Sequence, residues 1–438
     1  MLLLSIVQTM KQSRRDVLRT GAGLASAGLL SGLAGCGVLP SSGGLLGGGN
    51  AYRGWLAAPD EVGLGDNYSI FSTAPSTLAN SEEFSDEDEF DSLESGVENS
   101  FAAVDIDFED IETTVSLGND IQVATGSFTV EDLVEELEDN DYDEESELDS
   151  GERVFVNDSG SQGVTVSSDY VVTMSRASLE APPSDAEPSN PDVRSISYDQ
   201  TITSRIDDSD PSTYTHNGYH DPITFQGNEG DVVTIEMISE DDTYLQLENP
   251  SGTVVTANDD FNGLDSRIDS YTLEESGEYT IIATSFSSYD TFTYRLRLTN
   301  GSGADELVRR AETYLGVQTG DTANYTDESD VVSDLVSALG GGDLVSASVY
   351  EQEEGDDPEN GRIEDSVANG LALTVDGSVF NVTGAVVFDS ESDADAGDVE
   401  DWADDGTTFA NGNLDDVSVS ENGRVVTVSA TVDVDDLS

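Results

Sequence analysis

One thiol, two imidazoles and a large excess of carboxylates make up the reactive inventory of this chain. Cys36 is the only cysteine, which excludes an intrachain disulfide and any Cys-rich zinc site. His216 and His220 stand four apart, but Asn217-Gly218 between them reads as a hairpin turn, so the pair does not share a helix face. The only lysine is Lys11. Neither His-Glu-x-x-His nor Gly-x-Ser-x-Gly occurs, and a Ser-His-Asp or Cys-His nucleophile has few parts to draw on. A carboxylate pair for glycoside hydrolysis is compatible with the 91 Asp+Glu, yet no pair stands out. Asp241, Asp242, Asp259, Asp260 and Asp265 fall where loops are expected, and calcium prefers several loop carboxylates and carbonyls. The alternative is that these Asp side chains are solvated or cap turns, with Asp259 and Asp260 bonding loop amides and Arg267 as their counter-charge. Asn67, Asn157, Asn300, Asn324 and Asn381 each open an Asn-x-Ser/Thr glycosylation pattern. Trp55 and Trp402 read as core or interface anchors.

The charge balance is 16 Lys+Arg against 91 Asp+Glu, a formal net charge of -75, and no basic residue occurs from Gly54 to Glu152. Such a chain repels itself in dilute buffer. In molar salt the Debye length shrinks to about 3 Å and most of that repulsion is screened. The near-absence of lysine also removes long apolar stems from the surface. These features predict a protein adapted to very high salt. They disfavour nucleic acid and anionic lipid surfaces, because both would be repelled, so no nucleic acid is expected as a partner. Apolar alternation within the acid, as in Val232 to Met237, argues against a disordered polyanion.

Residues 13 to 19 read Ser-Arg-Arg-Asp-Val-Leu-Arg, and a small, apolar run from Gly21 to Gly35 follows. That run is short for a membrane span and suits a signal sequence. The paired Arg14 and Arg15 resemble a twin-arginine export signal, which carries proteins already folded. Leu33-Ala34-Gly35-Cys36 is similar to the lipobox of secreted lipoproteins of the haloarchaeal type. The resemblance implies that the Cys36 thiol takes a lipid and anchors the mature chain to the outer face of the cell membrane. One lipid gives only marginal anchoring, so a second lipid or another membrane contact is expected.

Behind these residues the chain divides by composition. Residues 1–36 are the export signal and lipobox, and 37–50 are a Gly/Ser tether with a reach of about 20 Å. Residues 51–177 are expected to be an α+β segment. The stretch Ser127 to Leu137 predicts a helix opened by a capping box at Thr129 and Asp132, with Val130, Leu133, Val134 and Leu137 as its stripe. Strands are expected over Arg153 to Val156 and Val164 to Met174. Residues 178–192 form a Pro-rich acidic linker, 193–299 a strand-rich block, and Asn300 to Gly303 a second linker. Residues 304–438 are a second α+β segment. It has helices over Ala304 to Gly316 and Asp330 to Leu339, later strands, and a hairpin at Asn422-Gly423. The two flanks share an order of elements, and pair as one split domain or as a weak duplication.

Within 193–299, Asp221-Pro-Ile-Thr-Phe-Gln-Gly precedes Gly230-Asp-Val-Val-Thr-Ile-Glu-Met. Asp241-Asp-Thr-Tyr-Leu-Gln-Leu, the turn Asn249-Pro-Ser-Gly, Asn258-Asp-Asp, Leu264-Asp-Ser-Arg-Ile and Ser276-Gly-Glu-Tyr-Thr-Ile-Ile follow in that order. Tyr294 to Leu298 is expected to close the sheet. This series resembles the pre-peptidase C-terminal (PPC) domain. The resemblance implies a jelly-roll-like β-sandwich appended to exported enzymes, with roles in targeting, secretion or substrate binding. The fold class expected is therefore multidomain, a PPC-like sandwich inserted between or flanked by α+β segments. The function expected is a non-enzymatic binding or accessory module for an extracellular protein or polysaccharide. An exported hydrolase or peptidase-accessory subunit with an acid-based site, and a solute-binding lipoprotein, are the alternatives.

Overall fold

The structure, a computed structural model, describes residues 50–64, 68–81, 88–176, 182, 195–211, 218–259, 261, 264–286, 291–350, 363, 365–404 and 414–433. The chain forms two compact units. The first gathers residues up to Asp158, Gln162–Ala177 and Val308 onward; the second holds Ser159–Ser161 and Ser178–Leu307.

The first flank supplies β1 (Tyr68–Thr73), β2 (Ile111–Leu117), β3 (Ile121–Gly126), β4 (Tyr142–Glu147), β5 (Arg153–Asn157), β6 (Gln162–Val166) and β7 (Tyr170–Ser175). The middle block supplies β8 (Gln200–Ile206), β9 (His220–Gly227), β10 (Val232–Ile238), β11 (Thr243–Glu248), β12 (Val254–Asn258), β13 (Ser266–Thr272), β14 (Gly277–Ser285) and β15 (Phe292–Asn300). The last flank supplies β16 (Leu344–Val349), β17 (Ser366–Asp376), β18 (Val379–Phe388), β19 (Asp415–Asn422) and β20 (Val425–Asp433). The longer helices are α1 (Asp88–Ser100), α2 (Val130–Asp139), α3 (Gly303–Thr319), α4 (Asp330–Leu339) and α5 (Ala396–Asp404).

In the first unit the two flanks build one antiparallel twelve-stranded sheet, ordered β19-β20-β18-β17-β16-β1-β2-β3-β7-β6-β5-β4. The join is the ladder between β1 and β16, from Tyr68 opposite Val349 to Thr73 opposite Leu344. Paired residues share a face, so the ladders show which face is apolar. Across β1, β2, β3 and β7, one face carries Ile70, Val115, Leu117, Ile121, Val123, Val172 and Met174, all buried. Followed through β16, that face continues with buried Val345, Ala347, Ala368, Ala372, Ala385 and Val387, while Leu371, Leu373, Val382, Val386, Val428 and Val432 are buried on the opposite one. The helix α4 packs on β17, β18 and β20, burying Val332, Leu335, Val336 and Leu339. The two rims are the mostly exposed strands β4, with the sequence Tyr-Asp-Glu-Glu-Ser-Glu, and β19. Charge on a sheet edge discourages further strands from adding.

The second unit is a sandwich of two four-stranded antiparallel sheets, ordered β13-β10-β15-β8 and β12-β11-β14-β9. Val233, Ile235, Met237, Leu296 and Leu298 from one sheet meet Ile223, Phe225, Leu245, Leu247 and Ile281 from the other in a single core. The fold class read from the sequence is the one observed.

Several local expectations are corrected. Tyr294 to Leu298 does not close its sheet, because β15 lies between β10 and β8 and the edge belongs to β8. Thr129 sits at the N-cap of α2 in extended conformation, but its side chain makes no cap bond. Its carbonyl takes the Asp132 and Leu133 amides instead. The expected linker Asn300 to Gly303 is the cap of α3: Ser302 Oγ accepts from the Asp305 amide at 3.1 Å, and Asp305 Oδ2 accepts from the Ser302 amide at 2.7 Å. The hairpin of β19 and β20 turns at Gly423-Arg424, with Asn422 already paired to Val425 and Gly423 in the left-handed region at φ 64°. The helix α1 was not expected from so acidic a stretch. Its buried Phe90, Leu93 and Val97, followed by Phe101, keep a helical spacing that decides the matter.

Candidate functional site

Cys36, Arg14, Arg15, Asn67, His216, Asp260, the tether up to residue 49, and the 178–192 linker apart from Pro182 lie outside the described residues, as does the Trp402 side chain. Among the described residues no helix is long and apolar enough to cross a membrane.

The described acids singled out by sequence gather where three connections of the sandwich meet: residues 239–242 before β11, the stretch between β12 and β13, and the end of β14. Main-chain bonds lace these segments together. The Phe286 amide donates to Asp242 O at 3.1 Å, the Thr243 amide to Leu264 O at 2.9 Å, and the Phe261 amide to Asp265 O at 2.8 Å. Thr243 Oγ1 reinforces the lacing by donating to Leu264 O at 3.0 Å. On this frame stand Phe261, Leu264 and Phe286, 49%, 52% and 48% exposed, among the few large apolar side chains left open to solvent in the described residues. The Arg267 guanidinium lies 4.4 Å from the centre of the Phe261 ring and pairs with Asp269 at 2.8 Å. Tyr244 and Phe286 have ring centres 6.3 Å apart.

The expectation that Arg267 serves Asp259 and Asp260 is thus corrected in part: its guanidinium is held by Asp269, while its amide donates to Asn258 Oδ1 at 2.8 Å. Among the described residues no three His, Cys, Asp or Glu side chains are grouped to hold a metal ion, so Asp241, Asp242, Asp259 and Asp265 form no such cage among themselves. Asp265 accepts from the Ser239 amide at 3.2 Å. Burial pushes its carboxyl up to about 6, against that hydrogen bond and with some help from Glu236.

That shift has a sign. Between the ordinary value of 3.8 and about 6 the folded protein keeps a proton that the unfolded chain has lost. This contribution to stability is fully present below about pH 4 and is lost as the pH rises through 6. The Asp265→Asn variant keeps the oxygen that serves Ser239 and removes the buried charge. It is expected to be more stable at neutral pH by about 1 kcal/mol, a figure that allows for solvent screening of a half-buried group. Thermal midpoints measured across this pH range in molar KCl test it; equal midpoints for both proteins at neutral pH would refute it.

Sequence reasoning passed over Phe261, Leu264 and Phe286. The available signal was single apolar residues set among turn-forming and acidic neighbours, against the usual polar pattern of loops.

Elsewhere in the sandwich, Asp221 is 2% exposed and accepts from Ser204 Oγ at 2.9 Å and from the Tyr294 hydroxyl at 2.8 Å. Ser204 and Tyr294 belong to one sheet and Asp221 to the other, so the carboxylate is a structural tie across the layers. Of the described glycosylation patterns, Asn381 is exposed on β18, and Asn157 and Asn300 end β5 and β15. Asn324 is already engaged: its Nδ2 donates to Arg53 O at 2.7 Å, and its Oδ1 caps the short helix Tyr325–Glu328. A sugar on that nitrogen conflicts with the fold. Trp55 is buried, edge-on to Tyr170 and stacked on Tyr314.

No family model matches the chain, and no curated protein matches it. Solved structures do. The pre-peptidase C-terminal domain of a collagenase from Bacillus anthracis matches 25% of this chain and 96% of that one, at 16% identity and a TM-score of 0.20. PliG of Aeromonas hydrophila, a periplasmic inhibitor of g-type lysozyme, matches 25% of this chain and 97% of its own, at 10% identity and a TM-score of 0.20. TP0453 matches 86% of this chain and 94% of its own, at 7% identity and a TM-score of 0.31. No residue role transfers from any of them.

Proposed function

We propose that this chain is an exported protein of a salt-adapted cell, tethered to the outer face of the membrane through a lipid on Cys36. Its PPC-like sandwich serves as a non-enzymatic binding or accessory module for an extracellular protein or polysaccharide. The observation that carries the binding role is the set of Phe261, Leu264 and Phe286, held out by main-chain bonds on a chain whose surface is otherwise dominated by carboxylates. Exposed apolar groups gathered at one place mark interaction sites more often than chance exposure does. The anchoring role rests on Arg14, Arg15 and the Leu33-Ala34-Gly35-Cys36 sequence, with the Gly- and Ser-rich stretch 37–50 behind them. In cells, Cys36→Ser is expected to shift the protein from the membrane fraction to the medium. Capture of a partner from solubilised membranes in molar salt is expected to fall when Phe261 and Phe286 are both changed to Ala. A Cys36→Ser protein still bound to membranes would sink the anchor, and undiminished capture by the double variant would sink the binding surface.

A further inference from the structure

We propose that the loop end of the sandwich takes a neutral polysaccharide chain, laid against the rings of Phe261 and Phe286 with Leu264 beside them. This rests on the reading that this end is a binding surface, and it names the occupant. Size is the first argument. Aromatic side chains offer 150–250 Å² each, so three half-exposed groups present about 300 Å². A stable protein partner needs about 800 Å² on each side. The patch suits a short run of sugar rings.

Chemistry is the second argument. The C–H face of a pyranose packs on an aromatic ring, and its hydroxyls donate to carboxylates. Asp242 O accepts from the Phe286 amide and from Ser285 Oγ, and Asp259 O accepts from Ser266 Oγ at 3.2 Å, so the main chain of both acids lies beside the segments that carry the rings. The excess of carboxylates, 91 Asp+Glu against 16 Lys+Arg, would repel an anionic polysaccharide. The third argument is rigidity. Arg267 sits over one side of the Phe261 ring and is itself fixed by Asp269, so the ring needs little ordering on binding. Salt that screens charge pairs leaves ring stacking intact, which suits a site working in brine.

The test is retention of the full chain, in molar KCl, on insoluble cellulose, chitin and mannan, with alginate beads as the anionic control. Retention is expected on at least one neutral polymer and not on alginate. Phe261→Leu and Phe286→Leu, which keep apolarity and lose the ring, are each expected to weaken retention about tenfold, while Phe286→Tyr retains it. Val254→Ser, equally exposed at the opposite end of β12, is expected to change nothing. Circular dichroism in the same salt checks that each variant is folded. No retention on any neutral polymer, or equal retention by the Leu variants, overturns the inference. If those results come with capture of a membrane protein that depends on Phe261 and Phe286, the occupant is a protein and the binding surface stands. If no capture depends on them, both fall.

Discussion

Moved from molar KCl into dilute buffer, the protein is expected to lose its β-sheet circular dichroism and to recover it when the salt is restored. A net charge of -75 on 438 residues leaves few cations to pair with, and among the described residues several of these are already committed. Arg153 pairs with Glu144, Arg297 with Glu236 at 2.6 Å, and Arg424 with Asp334 at 2.8 Å. Other carboxylates are close neighbours along the chain. On α2 alone, Glu131 stands one turn from Glu135, and Glu135 one turn from Asp139, like-charge neighbours that oppose the helix. The rim strand β4 adds Asp143, Glu144, Glu145 and Glu147 in close succession. At about 0.01 M salt the Debye length is about 30 Å, so these charges act across a whole unit; in molar salt it is about 3 Å and they act only on contact. Superimposable spectra in dilute buffer and in molar KCl would show that the acidic surface does not set a salt requirement.

Replacing Arg310 by Met is expected to cost the first unit about 3 kcal/mol of stability. Arg310 is 6% exposed on α3. Its Nε donates to Val62 O at 2.7 Å, one terminal nitrogen donates to Ser175 O, and the other lies 3.9 Å from Asp120 Oδ2. The planar fork therefore ties three chain segments to one helix. Asp120 is held in turn by Ser175 Oγ at 2.8 Å. Methionine fills much of the volume and donates nothing, leaving two buried carbonyls without this donor and the Asp120 charge without its cation. Lysine keeps the charge but cannot serve both carbonyls from a fork, so Arg310→Lys is expected to lose roughly half as much. Denaturant titration in molar KCl measures both; a Met variant as stable as the parent would show that the tie is idle.

The sandwich was legible because its strands alternate cleanly and its turns carry Gly, Asn and Pro. Val232 to Met237 and the Asn249-Pro-Ser-Gly turn fall where the pattern puts them. The helix α4 likewise runs from Asp330 to Leu339, capped by Ser329, whose Oγ accepts from the Val332 amide at 3.3 Å, and followed by Gly340. What escaped the sequence has two physical causes. In α1 and β4 the dense acidic residues hide the propensity beneath them, and only Phe90, Leu93 and Val97 betray the helix. In the candidate site, the Asp residues drew notice by their type, while the apolar groups that define the surface are single residues in loops. Only the Thr243, Asp242 and Asp265 main-chain bonds bring them together.

The half of the twelve-stranded sheet built by the last flank is buried on both faces, with Leu371, Leu373, Val382 and Val428 on one and Ala368, Ala372, Ala385 and Val387 on the other. A polar substitution on either face of β17 or β18 therefore meets an apolar interior. The two flanks meet along β1 and β16, where Tyr68, Ile70 and Phe71 stand opposite Val349, Ala347 and Ser346. They are tied a second time away from that ladder: the Tyr52 hydroxyl donates to Gly340 O at 3.5 Å and the Arg53 guanidinium to Val336 O at 3.0 Å, at the end of α4. A loosened seam between β1 and β16 would leave the flanks still fastened to each other through these two side chains.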